Sequence, residues 1–266
     1  MFREITIGQY YPAESTLHSL DPRVKLFATL MFVITLFSFK DPVTFVIITL
    51  ALVCVIKLSH VPFSFMVKGL KGIVFLLLLA GAFNLFLTPG KELIRIGFLS
   101  VSEVGLKNAV IMTVRMIFLI IGTSIMTLTT TPNQLTDGLE RSLGFMKKLG
   151  VPVHEISMMM SIALRFIPIL IEETDKIMKA QTARGADFES GGLIKKAKAM
   201  VPLLVPLFVS AFRRANDLAM AMEARCYNGG EGRTKMKPLK YSSLDQRAYI
   251  VIFMYLTLFY LIKVVF

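Results

Sequence analysis

Five stretches of the chain are apolar on every face: Val24–Phe39, Val43–Ile56, Gly69–Leu87, Ala109–Leu128 and Ala248–Phe266. A hydrocarbon core needs about 20 apolar residues per helix, and about 17 suffice where flanking charges reach the interface. The pattern therefore predicts an all-α, polytopic membrane protein with about five transmembrane helices. The first two stretches are separated only by Lys40, Asp41 and Pro42. Proline starts helices well and breaks whatever precedes it, so a tight helical hairpin is expected there.

The long stretch between the fourth and fifth spans is patterned differently. Apolar residues recur at Ile162, Phe166 and Ile169, are interrupted by Glu173, and resume at Ile177 and Ala180, with Arg184 next in the row. A second row runs Leu204, Phe208, Ala211, Ala215, Leu218 and Met222, and its next member is Arg225. Steps of three and four place each row on one helical face. Two amphipathic helices are expected, each ending in an arginine. Between them a turn is expected at Glu189-Ser190-Gly191-Gly192, then a short basic amphipathic segment, Leu193–Met200, closed by Pro202. The chain thus divides into a membrane domain of about four spans over 1–128, a domain of amphipathic helices over 129–241, and a last transmembrane helix over 242–266. Ile156–Ile171 is nearly long enough to be a span itself, but Arg165 and Pro168 at its centre make a lipid-facing position costly.

Composition fits a membrane protein, with 55% hydrophobic and 18% charged residues. The 30 Lys and Arg against 18 Asp and Glu give a net charge of +12. With the amino terminus inside, only Lys40, Lys91, Arg95, Lys107 and Lys263 fall outside and Arg115 lies within a span, so the excess reports a cytoplasmic placement of the amphipathic helices. Lys195, Lys196 and Lys198 read most simply as contacts to anionic head groups of the lipid bilayer, and without interleaved aromatics no nucleic acid partner is expected. The first twenty residues lack a signal-peptide pattern.

Ala183-Arg184-Gly185 reads locally as a helix end, with glycine at the left-handed C′ position and arginine at the negative end of the helix dipole. The motif recurs as Ala224-Arg225-Cys226, with cysteine in place of glycine. An apolar stripe ending twice in arginine also suits a knob inserted into a partner's groove, where the guanidinium meets a carboxylate. Near the amino terminus, Asp21 and Pro22 suit an N-cap and first helical position, with Arg23 and Lys25 as interface anchors.

With these two motifs and the sequence Leu20-Asp21-Pro22-Arg23-Val24-Lys25-Leu26 before the first span, the chain resembles the transmembrane T component (EcfT) of energy-coupling factor (ECF) transporters over essentially its whole length. The resemblance implies a scaffold between two cytoplasmic ABC-type ATPases, of the EcfA and EcfA′ type, and a membrane-embedded substrate-binding S component, for uptake of vitamins or trace metal ions. It implies ATPase docking through Ala183, Arg184, Gly185, Ala224, Arg225 and Cys226. It places Met158, Met159, Phe166, Leu204, Phe208, Leu218 and Met222 in packing between coupling helices and against the S component, with Asp21, Pro22 and Arg23 starting the first span. Cys226 departs from the glycine pattern and puts the cap geometry of the second motif in question.

No phosphate-binding G-x-x-x-x-G-K-[ST] loop occurs, so ATP hydrolysis is expected in another chain. His18, His60 and His154 are scattered, Cys54 and Cys226 are far apart, and neither a metal site nor a cofactor is expected. The alternatives are a stand-alone secondary transporter or channel, which needs several ionisable residues near the midplane, and a membrane enzyme, which needs paired carboxylates or histidines. Arg115 is nearly alone in its span, Asn84 reads as glue between helices, and Glu172, Glu173 and Asp175 read as a solvated helix face. More than half of the 16 methionines fall between Met146 and Met236, where flexible thioethers suit either a plain core or a surface that accepts several partners.

Overall fold

The structure is a computed structural model that describes residues 10–39, 41–89, 92–96, 99–188, 192–230, 236 and 238–265. Its helices are α1 (Thr16–Ser19), α2 (Pro22–Ser38), α3 (Pro42–Ser59), α4 (Phe63–Lys71), α5 (Val74–Leu87), α6 (Glu103–Thr129), α7 (Pro132–Ser142), α8 (Val153–Ala183), α9 (Leu193–Glu223) and α10 (Ser243–Val265). One antiparallel hairpin of β1 (Glu92–Ile96) and β2 (Leu99–Ser102), which the hydropathy pattern does not foreshadow, precedes α6. Ser102 closes it by accepting a hydrogen bond from the Gly105 amide, which caps α6.

Among the described residues, four helices, α3, α6, α8 and α10, are long and apolar enough to cross a bilayer. The expected span Gly69–Leu87 is instead the pair α4 and α5, bent by 63° at their break, which together make a fifth candidate. α2 has 17 residues, at the lower limit of about 17 for a span. α8 qualifies by length and composition, yet its second half carries Glu172, Glu173, Asp175, Lys176 and Lys179, which lipid would not accept unpaired.

The chain forms two compact units. In the first, Gly8–Gly138 with Leu239–Phe266, α6 packs against α2, α3, α4 and α5. Its buried residues Leu52, Val61, Met66, Ile121, Ile125 and Leu128 make one cluster, and Leu36, Ile48 and Phe259 another. Gly122 lets α6 approach α2 so closely that a Cβ there would run into the Phe32 ring. Outward-facing residues such as Phe75, Leu78 and Ile250 are exposed apolar groups, as helices solvated by lipid require.

Arg115 is only 8% exposed and donates from Nη2 to the Phe39 carbonyl at 2.8 Å. That carbonyl caps α2, so the cation sits at the negative end of the helix dipole, and the rings of Phe37 and Phe45 lie 5.6 and 5.9 Å away. Arg115 thus ties the α2–α3 turn within the bundle. Asn84 is not glue between helices: its amide donates to the Ala80 carbonyl of its own helix.

The second unit, over Leu139–Pro238, holds α8 and α9. The basic segment Leu193–Met200 is not a separate helix closed by Pro202. It is the start of α9, which runs 31 residues through Pro202 and Pro206. Proline removes one ladder bond, but the good helix formers on either side carry the remaining ladder past it. Of the expected turn, Glu189, Ser190 and Gly191 lie outside the described residues, and Gly192 is the N-cap of α9.

Candidate functional site

α8 and α9 pack on each other and enclose a cleft lined by Ile162, Phe166 and Leu170 from one and by Ala211, Ala215, Leu218 and Met222 from the other. Small residues on α9 admit the bulkier side chains of α8. At the edge of the cleft, which Arg214 also lines, its Nη2 meets Glu173 Oε2 at 2.7 Å. The α8 lining residues precede Glu173 while most α9 lining residues follow Arg214, so the helices run antiparallel and their carboxyl ends point in opposite directions. At 1.5 Å per residue, Arg184 lies roughly 27 Å along α8 from Phe166, and Arg225 roughly 10 Å along α9 from Leu218.

Two readings from the sequence change here. Glu173 is not part of a plain solvated face but half of this inter-helix ion pair, at the point where it interrupts the α8 stripe. The row from Leu204 to Met222 is not one contact face: Leu203 is buried while Leu204 and Phe208 are exposed, Phe208 by 61%. At the start of α9 the buried position is Leu203, next to Pro202, and the cleft-facing part of the row begins at Ala211. Met159 is likewise exposed, Met158 and Phe166 are half-buried, and Leu218 and Met222 face the cleft.

The two arginine ends share one backbone geometry. After α8, the amide of Gly185 donates to the Thr182 carbonyl and that of Ala186 to the Gln181 carbonyl. After α9, the amide of Cys226 donates to the Glu223 carbonyl and that of Tyr227 to the Met222 carbonyl. Both are Schellman caps with alanine, arginine and the C′ residue in the same three places. The C′ position needs positive φ, and Gly185 has +88° and Cys226 +54°, so the cysteine keeps the cap that its identity put in question. Arg184 and Arg225 are both exposed.

At the start of the first span, Asp21 is the N-cap of α2 and Pro22 its first residue, as expected. Asp21 also holds the Arg23 guanidinium at 2.9 Å, and its own amide donates to Asp245 of α10 at 2.8 Å. Arg23 stacks on the Tyr241 ring at 3.9 Å. Lys25 is only 6% exposed and donates to the carbonyls of His18 (3.2 Å) and Thr129 (2.8 Å). Arg23 and Lys25 are therefore not interface anchors but inward-facing ties between α2, α10 and the end of α6. The sequence hint was Ser242-Ser243-Leu244-Asp245, a capping pattern in which Asp245 and Ser242 bond reciprocally.

The family described as cobalt transport protein, CbiQ, matches residues 13–236. Proteins named energy-coupling factor transporter transmembrane protein EcfT are 56% identical in Clostridium kluyveri, over 92% of this chain and 92% of the relative, and 50% identical in Bacillus subtilis, over 92% and 93%. One from Thermosediminibacter oceani is 51% identical over 93% and 94%. The chain belongs to the CbiQ/EcfT family. As a family member it is the energy-coupling transmembrane component of an ECF transporter, a multi-pass protein of the bacterial membrane, and one subunit of a larger complex. The CbiQ/EcfT match takes in both arginine motifs and the Asp21–Lys25 segment.

Proposed function

We propose that this chain is the non-catalytic scaffold that passes the work of ATP hydrolysis from two ABC-type ATPases to a membrane-embedded S component. The observation that carries the reading is the pair of equivalent caps, each presenting an exposed arginine at the end of a 31-residue helix. Two equivalent knobs on opposite ends of an antiparallel pair suit two partners of one fold, one ATPase on Arg184 and the other on Arg225. A capped helix is a stiff lever, and the α8–α9 contact couples the two levers. The amphipathic region 129–241 lies on the cytoplasmic side in this reading, where the ATPases are. The exposed apolar residues Met159, Leu204 and Phe208 suit packing against the S component, which selects the vitamin or trace metal ion carried.

Arg184→Glu and Arg225→Glu should each reduce co-purification of ATPase at least tenfold while leaving membrane insertion intact, since breaking a buried charge pair costs about 2–5 kcal/mol. Pull-down from membranes that express all subunits measures this. Wild-type recovery of both ATPases by the double variant would refute the docking assignment.

A further inference from the structure

Inside the membrane unit, α2, α3, α6 and α10 leave a half-open cavity of about 290 Å³ between them. Its lining runs from Lys25 to Phe32 on α2 and from Leu58 to Ala51 on α3. At 1.5 Å per residue each wall is roughly 10 Å long, so the cavity is a slot parallel to the helices. Its walls are almost wholly apolar, and a cavity of this kind stays dry and takes an apolar guest. In a bilayer the apolar guest at hand is an acyl chain.

One end of the slot carries a charge. Lys25 lines it close to the Thr129 carbonyl, at the end of α6. An ammonium has three N–H donors, and two of these go to the carbonyls of His18 and Thr129. The nearby carboxylates are bonded elsewhere, Asp21 to Arg23 and Asp245 to the Asp21 amide and Ser242. Lys25 is thus a buried cation with neutral partners and a donor to spare, at the head of an apolar slot that follows the direction of lipid tails. An anionic phospholipid has the matching layout, with its phosphate at interface depth and its chain directed inward.

We infer that the slot between α2, α3, α6 and α10 binds one anionic phospholipid of the leaflet on the Lys25 side, with an acyl chain beside Phe32 and Ala51 and the phosphate directed to Lys25. The site rests on the membrane unit alone and stands whether or not the ATPases dock as proposed above.

Native mass spectrometry of the full-length protein in mild detergent, with phosphatidylglycerol or phosphatidylcholine added, tests it. The expected result is one retained phosphatidylglycerol per chain and much less phosphatidylcholine. Ala51→Phe, which fills the slot, should lower retention of both lipids at least tenfold. Lys25→Met should lower phosphatidylglycerol retention about tenfold, the value of one charge-assisted hydrogen bond, and phosphatidylcholine retention by less, since the choline cation offsets its phosphate. If Lys25→Met does not fold, Ala51→Phe and Ala28→Leu still test the slot. Equal retention of the two lipids by the unaltered protein, or unaltered retention by the filled variants, would overturn the inference. The measurement is repeated on the assembled transporter: lipid that remains there supports the site, and lipid that is displaced would show the slot to be a partner's seat.

Discussion

At Cys226 the backbone holds φ +54°, a conformation that costs an L residue about 1–2 kcal/mol and glycine almost nothing. The cap survives because two backbone hydrogen bonds and the helix before it fix the geometry. Cys226→Gly should therefore stabilise the α9 end by about 1 kcal/mol without loss of ATPase recovery, and Cys226→Val should destabilise it. Thermal unfolding in detergent, beside co-purification, checks both. The arginine motif itself was legible in the sequence, since alanine, arginine and the C′ residue are neighbours. The role of Arg115 was not, because its acceptor, the Phe39 carbonyl, is brought to it only by the α2–α6 packing.

Between elements, the informative feature is the pair Glu173 and Arg214 that joins α8 to α9. Each breaks the apolar pattern of its helix, and antiparallel packing sets the two breaks side by side. Both side chains are partly exposed, so the pair is worth about 1 kcal/mol or less. Glu173→Arg and Arg214→Glu should each loosen the helix pair, measured as faster protease cleavage within 139–238, and the double exchange should restore most of the protection. Unrelieved cleavage in the double variant would show that the two charges act independently. Element boundaries were the weaker part of the sequence reading. Pro202 did not end a helix, and Gly72 and Ile73 broke an apolar run that hydropathy alone left whole.

For the whole molecule, acid sensitivity has an identifiable source at the amino-terminal segment. His18 Nε2 meets the Tyr11 carbonyl at 3.0 Å, and Nδ1 meets the Ser15 hydroxyl at 2.6 Å. A carbonyl only accepts, so Nε2 carries the proton. Partial burial lowers the His18 pKa, and the charges of Lys25 and His60 lower it further against the raising effect of the carbonyls of Tyr11 and Leu128. The unfolded chain thus binds the proton more readily than the folded one. The stabilisation is fully present above about pH 6.5 and is lost as pH falls through the lowered value. The melting temperature should drop between pH 7.5 and pH 5.5, and His18→Gln should flatten that slope. Because the Tyr11 amide also donates to the Leu128 carbonyl, the loss should appear as release of this segment from the end of α6, seen as amide exchange at Tyr11.

The chain by itself determined that it is helical, that it lives in a membrane, and that two of its helices end in the same arginine motif. Those properties are local: apolar runs, a spacing of three and four, and three consecutive residues at a helix end. That both motifs form the same cap was decided by the structure. Only the tertiary structure decided which faces meet, that Lys25 turns inward to the end of α6, that Asp21 and Asp245 join distant parts of the chain, and that four helices leave a slot between them. These depend on side-chain volumes summed across segments far apart in sequence, such as Gly122 against Phe32, and no local pattern encodes such a sum.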